Sequence, residues 1–430
     1  MARTMQTIQE DIDAIVPYSM HVSSRYLDLT KQKLELTRLP KENETLTLQE
    51  QWALGTPKSV LEPLLDHWLE TYSWRAQESA FNTSLPQFRT QITLPERRDK
   101  SARNPLRTHF VHARSPAPNA VPLLYIHGWP GSFVEVNRLI NLLTAPNDDQ
   151  AQAFHVVCPS IPGFGFSDAS EEADFGVAGA AQVFAALMRR LGYERFPLLA
   201  FGYTPAEVVD TGGDRGEERG RPLGPVIHQL LSSRPQTLAF SLCDSPVGLL
   251  AVLLDLVATQ RPTSSLAGRP RSPFLDPGEL EMQDREYEAA GHERVRSDNT
   301  VKASNGGAGD DISTERRSWS PTDILNWTMM MWLPGAEAGL RWLRRAHIET
   351  SSAPNTYCTV PLGISSFRTR SSSTPLMWGA ASWPIRWVRR HQEVTEMPAW
   401  EAPVQLAKDM RDCFGRLLDG QVERRPESMV

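Results

Sequence analysis

An apolar run that stops at a glycine and a proline constrains the fold of this chain more than any other feature. The run from Leu123 to Ile126 predicts a buried strand. It is followed directly by His127, Gly128, Trp129 and Pro130. Glycine permits a tight bend and proline fixes the direction in which the chain leaves it. Such a turn can point backbone N–H groups into a cleft, as an oxyanion hole requires, although an ordinary strand-to-loop turn is the alternative interpretation.

Further along the chain, the pattern continues as alternating strand and helix. Phe154 to Pro159 predicts a second buried strand, which leads into the loop from Ser160 to Asp168. This loop contains two glycines, but Asp168 stands where a dinucleotide-binding loop needs a third, so a phosphate site is not expected. An amphipathic helix is predicted over 175–192 and a third strand over 196–201. This order predicts an α/β sheet, mostly parallel.

Several short motifs carry a resemblance to a known family. They are the segments His127 to Ser132, Pro162 to Ser167, Trp74 to Glu78, Leu85 to Phe88, Asp244 to Leu249 and Trp400 to Pro403. Together these segments resemble the microsomal-type epoxide hydrolases of the α/β-hydrolase superfamily, which carry an additional N-terminal domain. The resemblance covers roughly residues 17–260 and 318–418, with gaps.

The resemblance implies an α/β-hydrolase sheet with a helical cap and an N-terminal accessory domain. The sheet is expected to be incomplete, because a helix and a strand are missing between the third predicted strand and Ser233. The expected divisions are an accessory domain at 17–112, the first part of the core at 113–250, the cap at 251–350, the last part of the core at 351–418 and a polar tail at 419–430. Within the cap, the polar composition of 262–318 predicts a disordered insertion.

Composition excludes several classes of protein. The 430 residues carry a net charge of −6 with acids and bases mixed along the chain, which gives no reason to expect a nucleic-acid partner. The four cysteines lack metal-binding or redox spacing, and neither a signal peptide nor a membrane anchor is evident. We therefore expect a cytoplasmic protein, and the sequence leaves open whether it forms a homo-oligomer.

The family's chemistry is implied to be two-step covalent catalysis without a metal or an organic cofactor. An aspartate attacks a carbon of a small, apolar epoxide, and a histidine oriented by an acid then activates water to release a vicinal diol. Gly212-Gly213-Asp214-Arg215-Gly216 could form the tight turn that presents such a nucleophile, which makes Asp214 the candidate and Arg215 its neighbour at the turn. A surface turn is the alternative interpretation, because no amphipathic helix follows.

The other catalytic positions depart from the family pattern. Arg370 occupies the expected position of the acid, and a guanidinium would oppose the formation of an imidazolium. The loop that should carry the histidine is missing after Pro398, which leaves His391 in a predicted strand as a substitute base. Neither of the tyrosines that the cap is implied to supply is found.

These observations leave alternatives open. The first is an epoxide hydrolase by descent, with a place in detoxification or secondary metabolism. The second is a catalytically inactive protein of the same fold that binds an apolar ligand or a partner. A faulty gene model is a third explanation, because the departures cluster in stretches whose composition changes abruptly.

Overall fold

The computed structural model describes residues 14–95, 103–146, 151–200, 230–258, 319–352, 357–368, 383–395 and 397–418. The strands are β1 (Val16–Pro17), β2 (Gln87–Ile92), β3 (Leu106–Ala113), β4 (Val121–Ile126), β5 (Phe154–Pro159), β6 (Leu198–Ala200), β7 (Leu362–Arg368) and β8 (Ile385–Val394). The helices of the first half are α1 (Ser24–Glu35), α2 (Leu48–Ala53), α3 (Lys58–Glu70), α4 (Trp74–Ser84), the 3-10 helix η1 (Phe133–Arg138), α5 (Ile140–Thr144) and α6 (Val177–Arg190). Those of the second half are α7 (Pro235–Leu242), α8 (Pro246–Ala258), α9 (Pro321–Trp332), α10 (Ala336–Ser352), α11 (Pro398–Glu401) and α12 (Pro403–Leu418).

The larger sheet has six strands in the order β1-β2-β3-β5-β4-β6. Three of its strand pairs are antiparallel, and only β4 with β5 and β4 with β6 are parallel. The three strands that the sequence predicts, β4, β5 and β6, are thus parallel as expected, but β1, β2 and β3 add antiparallel pairs, so the described sheet is mixed. Both β2 and β3, from the predicted accessory segment 17–112, thus extend the sheet that contains β4.

β4 is a central strand of this sheet. Leu123, Leu124 and Tyr125 are consecutive and all buried, so side chains on both faces of the strand are covered. A continuous apolar run is the pattern that such a strand requires, because the side chains of a strand point alternately to its two faces. The predicted strand is thereby confirmed, and the turn that follows it lies at the C-terminal end of a parallel strand.

β7 and β8 form a separate two-stranded parallel sheet covered by α12. Asp409 of α12 is almost fully buried, and its carboxylate accepts hydrogen bonds from His391 Nε2 and Ser365 Oγ, both at 2.5 Å. Arg389 Nη1 lies 3.2 Å from the same carboxylate. A buried charge needs partners of this kind, and here they tie both strands to the last helix. Among the described residues, the larger sheet ends at β6.

The N-terminal segment is fastened by a buried glutamate in α4. Glu78 Oε1 accepts a hydrogen bond from the backbone N–H of Val22 at 2.6 Å and another from Trp74 Nε1 at 3.2 Å. Arg75 Nη1 pairs with Glu78 Oε2 at 2.6 Å, and Arg75 Nη2 donates to the Val22 carbonyl. The Trp-Arg-x-x-Glu motif of the sequence therefore closes a charged network that holds the extended chain around residue 22 against α4.

α9 links the N-terminal helices to the rest of the molecule. Tyr72 donates a hydrogen bond to Asn326 Oδ1 at 2.8 Å, and Trp332 Nε1 donates to Thr30 Oγ1 at 2.8 Å. At the other end of α9, Arg138 of η1 pairs with Asp323 at 3.0 Å and lies over the ring of Trp400. α9 thus contacts the accessory helices, η1 and α11.

The helices form where the sequence predicts them, with shifted ends. The sequence also predicts helices over 28–39 and 336–346; in the structure α1 begins at Ser24 and ends before residue 39, and α10 continues to Ser352. The resemblance implies that Trp400 to Pro403 begins the last helix, but Trp400 lies in the short α11 and α12 begins only at Pro403. Proline is well placed there, since the first turn of a helix needs no N–H from it. The predicted insertion 262–318 and tail 419–430 lie outside the described residues.

Removing the buried carboxylate of α12 should destabilise the C-terminal part of the fold. Asp409→Ala leaves the His391 imidazole and the Arg389 guanidinium without this partner, so we expect a loss of about 3 kcal/mol in the free energy of unfolding. Asp412→Ala is the matched control, because the Asp412 side chain is 26% exposed and should cost about 1 kcal/mol. Urea unfolding of both variants tests this prediction, and equal losses would contradict it.

Candidate active site

His127 is buried inside the turn and does not face a cleft. Its Nδ1–H donates to the carbonyl of Gly128 at 2.9 Å, and its Nε2 accepts the backbone N–H of Ile161 at 3.1 Å. Both ring nitrogens are therefore used, and the imidazole is neutral. Burial lowers the pKa of His127 to about 4, although the hydrogen bond to Gly128 raises it slightly. His127 thus connects the turn after β4 with the loop after β5.

A second buried histidine holds that loop from the other side. His109 of β3 contacts Ser160 Oγ through Nδ1 at 2.8 Å and Gln87 Oε1 through Nε2 at 3.0 Å. Burial lowers its pKa to about 3, so this ring is neutral as well. Ser167 Oγ donates to the Ser160 carbonyl at 2.9 Å and closes the loop on itself. The loop 160–168 is therefore fixed by two uncharged imidazoles and two hydroxyl groups.

The turn and the loop share an apolar boundary with helix α10. The ring of Phe164 lies edge-on to His127 with centroids 5.6 Å apart, and edge-on to Trp342 at 5.8 Å. Trp129 packs against the apolar cluster of the sheet and also against the cluster formed by α7, α8 and α10. Aromatic side chains thus cover the turn, as an apolar substrate or ligand requires.

A carboxyl group is buried directly behind the turn. Glu135 of η1 is 4% exposed, and the Tyr125 hydroxyl donates to its Oε2 at 3.2 Å. Its Oε1 has no hydrogen-bond partner among the described residues. Desolvation raises the pKa of Glu135 to about 8, while the Tyr125 hydroxyl and the backbone of Gly128 and Ser132 lower it in part. Gly131 leaves room for this group, because a β-carbon there would overlap Oε1.

Of the remaining predicted site residues, only His391 lies among those that the structure describes. Asp214 and Arg215 lie outside the described residues. His391 lies in β8 with its Nε2 hydrogen-bonded to Asp409, and its ring is stacked on Phe367 with centroids 4.4 Å apart. The imidazole therefore faces the C-terminal helix, so its assignment as a substitute base stays a prediction.

A surface groove of about 940 Å³ lies apart from the turn. Residues 104–107, the segment 168–174 and Arg345 of α10 form its walls. The groove is polar, and Arg107 pairs with Asp168 at 2.9 Å on its wall. His127, Trp129 and Phe164 do not line it, so we do not assign it to the apolar site described above.

Within the part of the chain that the structure describes, no three histidine, cysteine, aspartate or glutamate side chains are arranged to hold a metal ion. The helices of the same residues include none that is long and apolar enough to cross a membrane.

Comparison with known proteins matches the first half of the chain to two families. Residues 15–136 match the family described as epoxide hydrolase N terminus, and residues 121–202 match the alpha/beta hydrolase fold. This chain is related to the epoxide hydrolases. Its fold is that of the α/β hydrolases, as predicted.

Individual relatives agree with this assignment. A candidate epoxide hydrolase of Stigmatella aurantiaca is 33% identical over 277 residues, which are 56% of this chain and 59% of that protein. Epoxide hydrolase 1 of Sus scrofa is 34% identical over 193 residues, 43% of this chain and 39% of that protein. The chain thus spans less than two thirds of the length of either relative.

Solved structures resemble the whole fold at lower identity. The juvenile hormone epoxide hydrolase of the silkworm Bombyx mori superposes with a TM-score of 0.68 at 20% identity, covering 97% of both chains. The epoxide hydrolase of Aspergillus niger gives a TM-score of 0.62 at 22% identity, covering 95% of this chain and 97% of that one.

Sequence reasoning missed the groups that hold the site together. Glu135, His109 and Ser160 were not singled out, although all three are buried and touch the turn or the loop. A signal was present in one case. Glu135 is the only charged residue between Phe133 and Val136, and a lone acid among apolar neighbours indicates a buried carboxyl.

Acid should weaken the fold through His127. Its folded pKa of about 4 lies below the ordinary 6.5, so its contribution is complete above pH 6.5 and is lost as the pH falls from there to 4. Between pH 7 and 5 this amounts to about 2 kcal/mol. We expect His127→Asn to be less stable than the wild type at pH 7 but to lose about 2 kcal/mol less on going to pH 5. Equal losses in urea unfolding at the two pH values would contradict this.

Enlarging Gly131 should be costly because of Glu135. Gly131→Ala should lower the free energy of unfolding by about 2 kcal/mol, since the new methyl group overlaps the buried carboxyl. In a Glu135→Ala background the same change should cost at least about 1 kcal/mol less. Gly415→Ala is the control, because its β-carbon would meet no atom within 4 Å in α12. Additive costs in the double-mutant cycle would contradict the predicted contact.

Proposed function

We propose that this chain opens a small or medium organic epoxide through a covalent ester on Asp214. The single observation that supports this best is the turn at 127–132, whose backbone is held rigidly between β4, η1 and the loop 160–168. Backbone N–H groups fixed in advance can stabilise negative charge without reorganising when it develops. The relatives named above are epoxide hydrolases, and this supports an epoxide as the substrate class.

The first chemical step needs few groups. A carboxylate oxygen of Asp214 attacks an epoxide carbon, the carbon–oxygen bond of the ring breaks, and the released alkoxide takes a proton from water. The product is an alkyl ester whose mass is that of the protein plus the epoxide. The aromatic side chains of Trp129, Phe164 and Trp342 suit an apolar substituent on that epoxide.

The second step, hydrolysis of the ester, has the weaker support. It requires a base that activates water, and His391 is engaged with Asp409 on the side of α12. This arrangement favours a second candidate function, a hydrolase-fold protein that binds an apolar ligand or a partner without turnover. If Asp214 reacts in the absence of a base, the ester should form and then persist.

Intact-mass spectrometry of the purified protein after incubation with terminal and aryl epoxides tests the proposal. We expect the wild type to gain one epoxide mass and Asp214→Asn to gain none. Asp210→Asn is the matched control, because it makes the same chemical change four positions earlier and should still form the adduct.

Diol formation separates the remaining cases. A diol from the wild type that is lost in His391→Ala would assign the base to His391. A persistent adduct without diol would indicate a hydrolase that stalls after its first step. Absence of both adduct and diol would reject the enzymatic proposal and leave the ligand-binding candidate.

A further inference from the structure

The buried carboxyl of Glu135 occupies a place that the chemistry of epoxide opening does not explain. It lies between Tyr125 of β4 and the turn 127–132, and Gly131 is the residue that leaves space for its Oε1. The flanking residues Phe133, Val134 and Val136 are fully buried, so the group is surrounded by apolar side chains. A carboxyl in such a position is costly unless it is neutral or fully hydrogen-bonded.

Its hydrogen bonds are incomplete for a charged group. A carboxylate can accept about four hydrogen bonds, whereas Oε1 makes none of good geometry among the described residues, although the backbone of Gly128 and Ser132 lies close enough to lower the pKa in part. Burial accordingly favours the proton-bearing form and raises the pKa of Glu135 to about 8. Near neutral pH the group is therefore mostly uncharged, and it becomes an anion only above pH 8.

Other titratable groups nearby do not offset this charge. Tyr125 of β4 and Cys158 of β5 face the carboxyl, and burial raises both of their pKa values well above the ordinary range. Arg138, on the same 3-10 helix, is directed away to Asp323 and to the carbonyl of Trp400. Among the described residues, no cation is placed to compensate the ionised form.

We propose that Glu135 is a positioning residue for the turn 127–132. The neutral carboxyl supports the backbone N–H groups that face a bound anion, and the ionised carboxylate weakens the interaction of these N–H groups with the anion. Gly128 and Ser132 are the turn residues whose backbone contacts the carboxyl. When Glu135 ionises, it attracts these N–H groups and places a negative charge behind the point where a second negative charge develops. Like charges repel more strongly in a buried region than in water. Only the assignment of the turn to anion binding depends on the proposed function.

Hydrogen exchange tests the structural half of this inference and does not require the protein to have enzymatic activity. The exchange of the amides in a peptide covering 127–135, corrected for the intrinsic effect of pH, should change at least threefold between pH 6.5 and 9.5 with a midpoint near 8 in the wild type. Glu135→Gln, which keeps the size but cannot ionise, should show no such step. A wild type without the step, or a step that persists in Glu135→Gln, would overturn the proposal.

A second pair of variants keeps the test decisive if Glu135→Gln does not fold. The Tyr125 hydroxyl favours the charged form of Glu135, so Tyr125→Phe should move the midpoint to higher pH. Tyr72→Phe is the control, because its hydroxyl bonds to Asn326 on a different side of the molecule. A midpoint that stays in place in Tyr125→Phe would show that another group titrates and would overturn the assignment to Glu135.

The rate of epoxide adduct formation tests the chemical half. We expect this rate in the wild type to fall at least threefold above pH 8, relative to Glu135→Gln measured at the same pH. Failure of the proposed function would appear as no adduct in either protein while the exchange step is present. Failure of the present inference would appear as adduct formation with the same pH dependence in both proteins.

Discussion

The candidate site depends on one constraint. Four titratable side chains around the end of β4 are buried away from water. His127, Tyr125, Glu135 and Cys158 are all buried, and each is expected to be uncharged near neutral pH because desolvation opposes its charged form. Neutral polar groups can hold a backbone in place without adding a net charge. A turn built in this way is free to stabilise a charge that arises on a ligand.

The separate parts of the fold meet around this turn. Phe164 of the loop 160–168 packs against Trp342 of α10. Arg138 joins η1 to α9 and α11 through Asp323 and Trp400. A change in the cap or in the C-terminal helices can therefore reach the turn through these side chains. Close packing makes such contacts stiff, so the geometry of the turn reflects the packing of several elements rather than the turn sequence alone.

The sequence was sufficient to predict the structural features that depend on a local pattern of residues. The strand ending at Ile126 was predicted because an apolar run needs a place inside a sheet, and α6 because its apolar residues recur at helical spacing. The antiparallel strands β2 and β3 were not predicted, since strand pairing depends on contacts between distant segments. The inward direction of His127 was missed for the same reason, because Ile161 supplies its partner.

Ester formation and ester hydrolysis make different demands on the chain, and this separates the two candidate functions physically. The first step depends on a nucleophile and on fixed N–H groups, and the turn 127–132, which is proposed to supply such groups, is held in place by the hydrogen bonds of His127. The second depends on a base free to take a proton from water. His391 instead donates to Asp409, whose carboxylate is also held by Ser365 and Arg389, so recruiting it would disrupt the attachment of α12 to β7 and β8. Under the proposed function, this arrangement of His391 therefore favours formation of the ester over its hydrolysis.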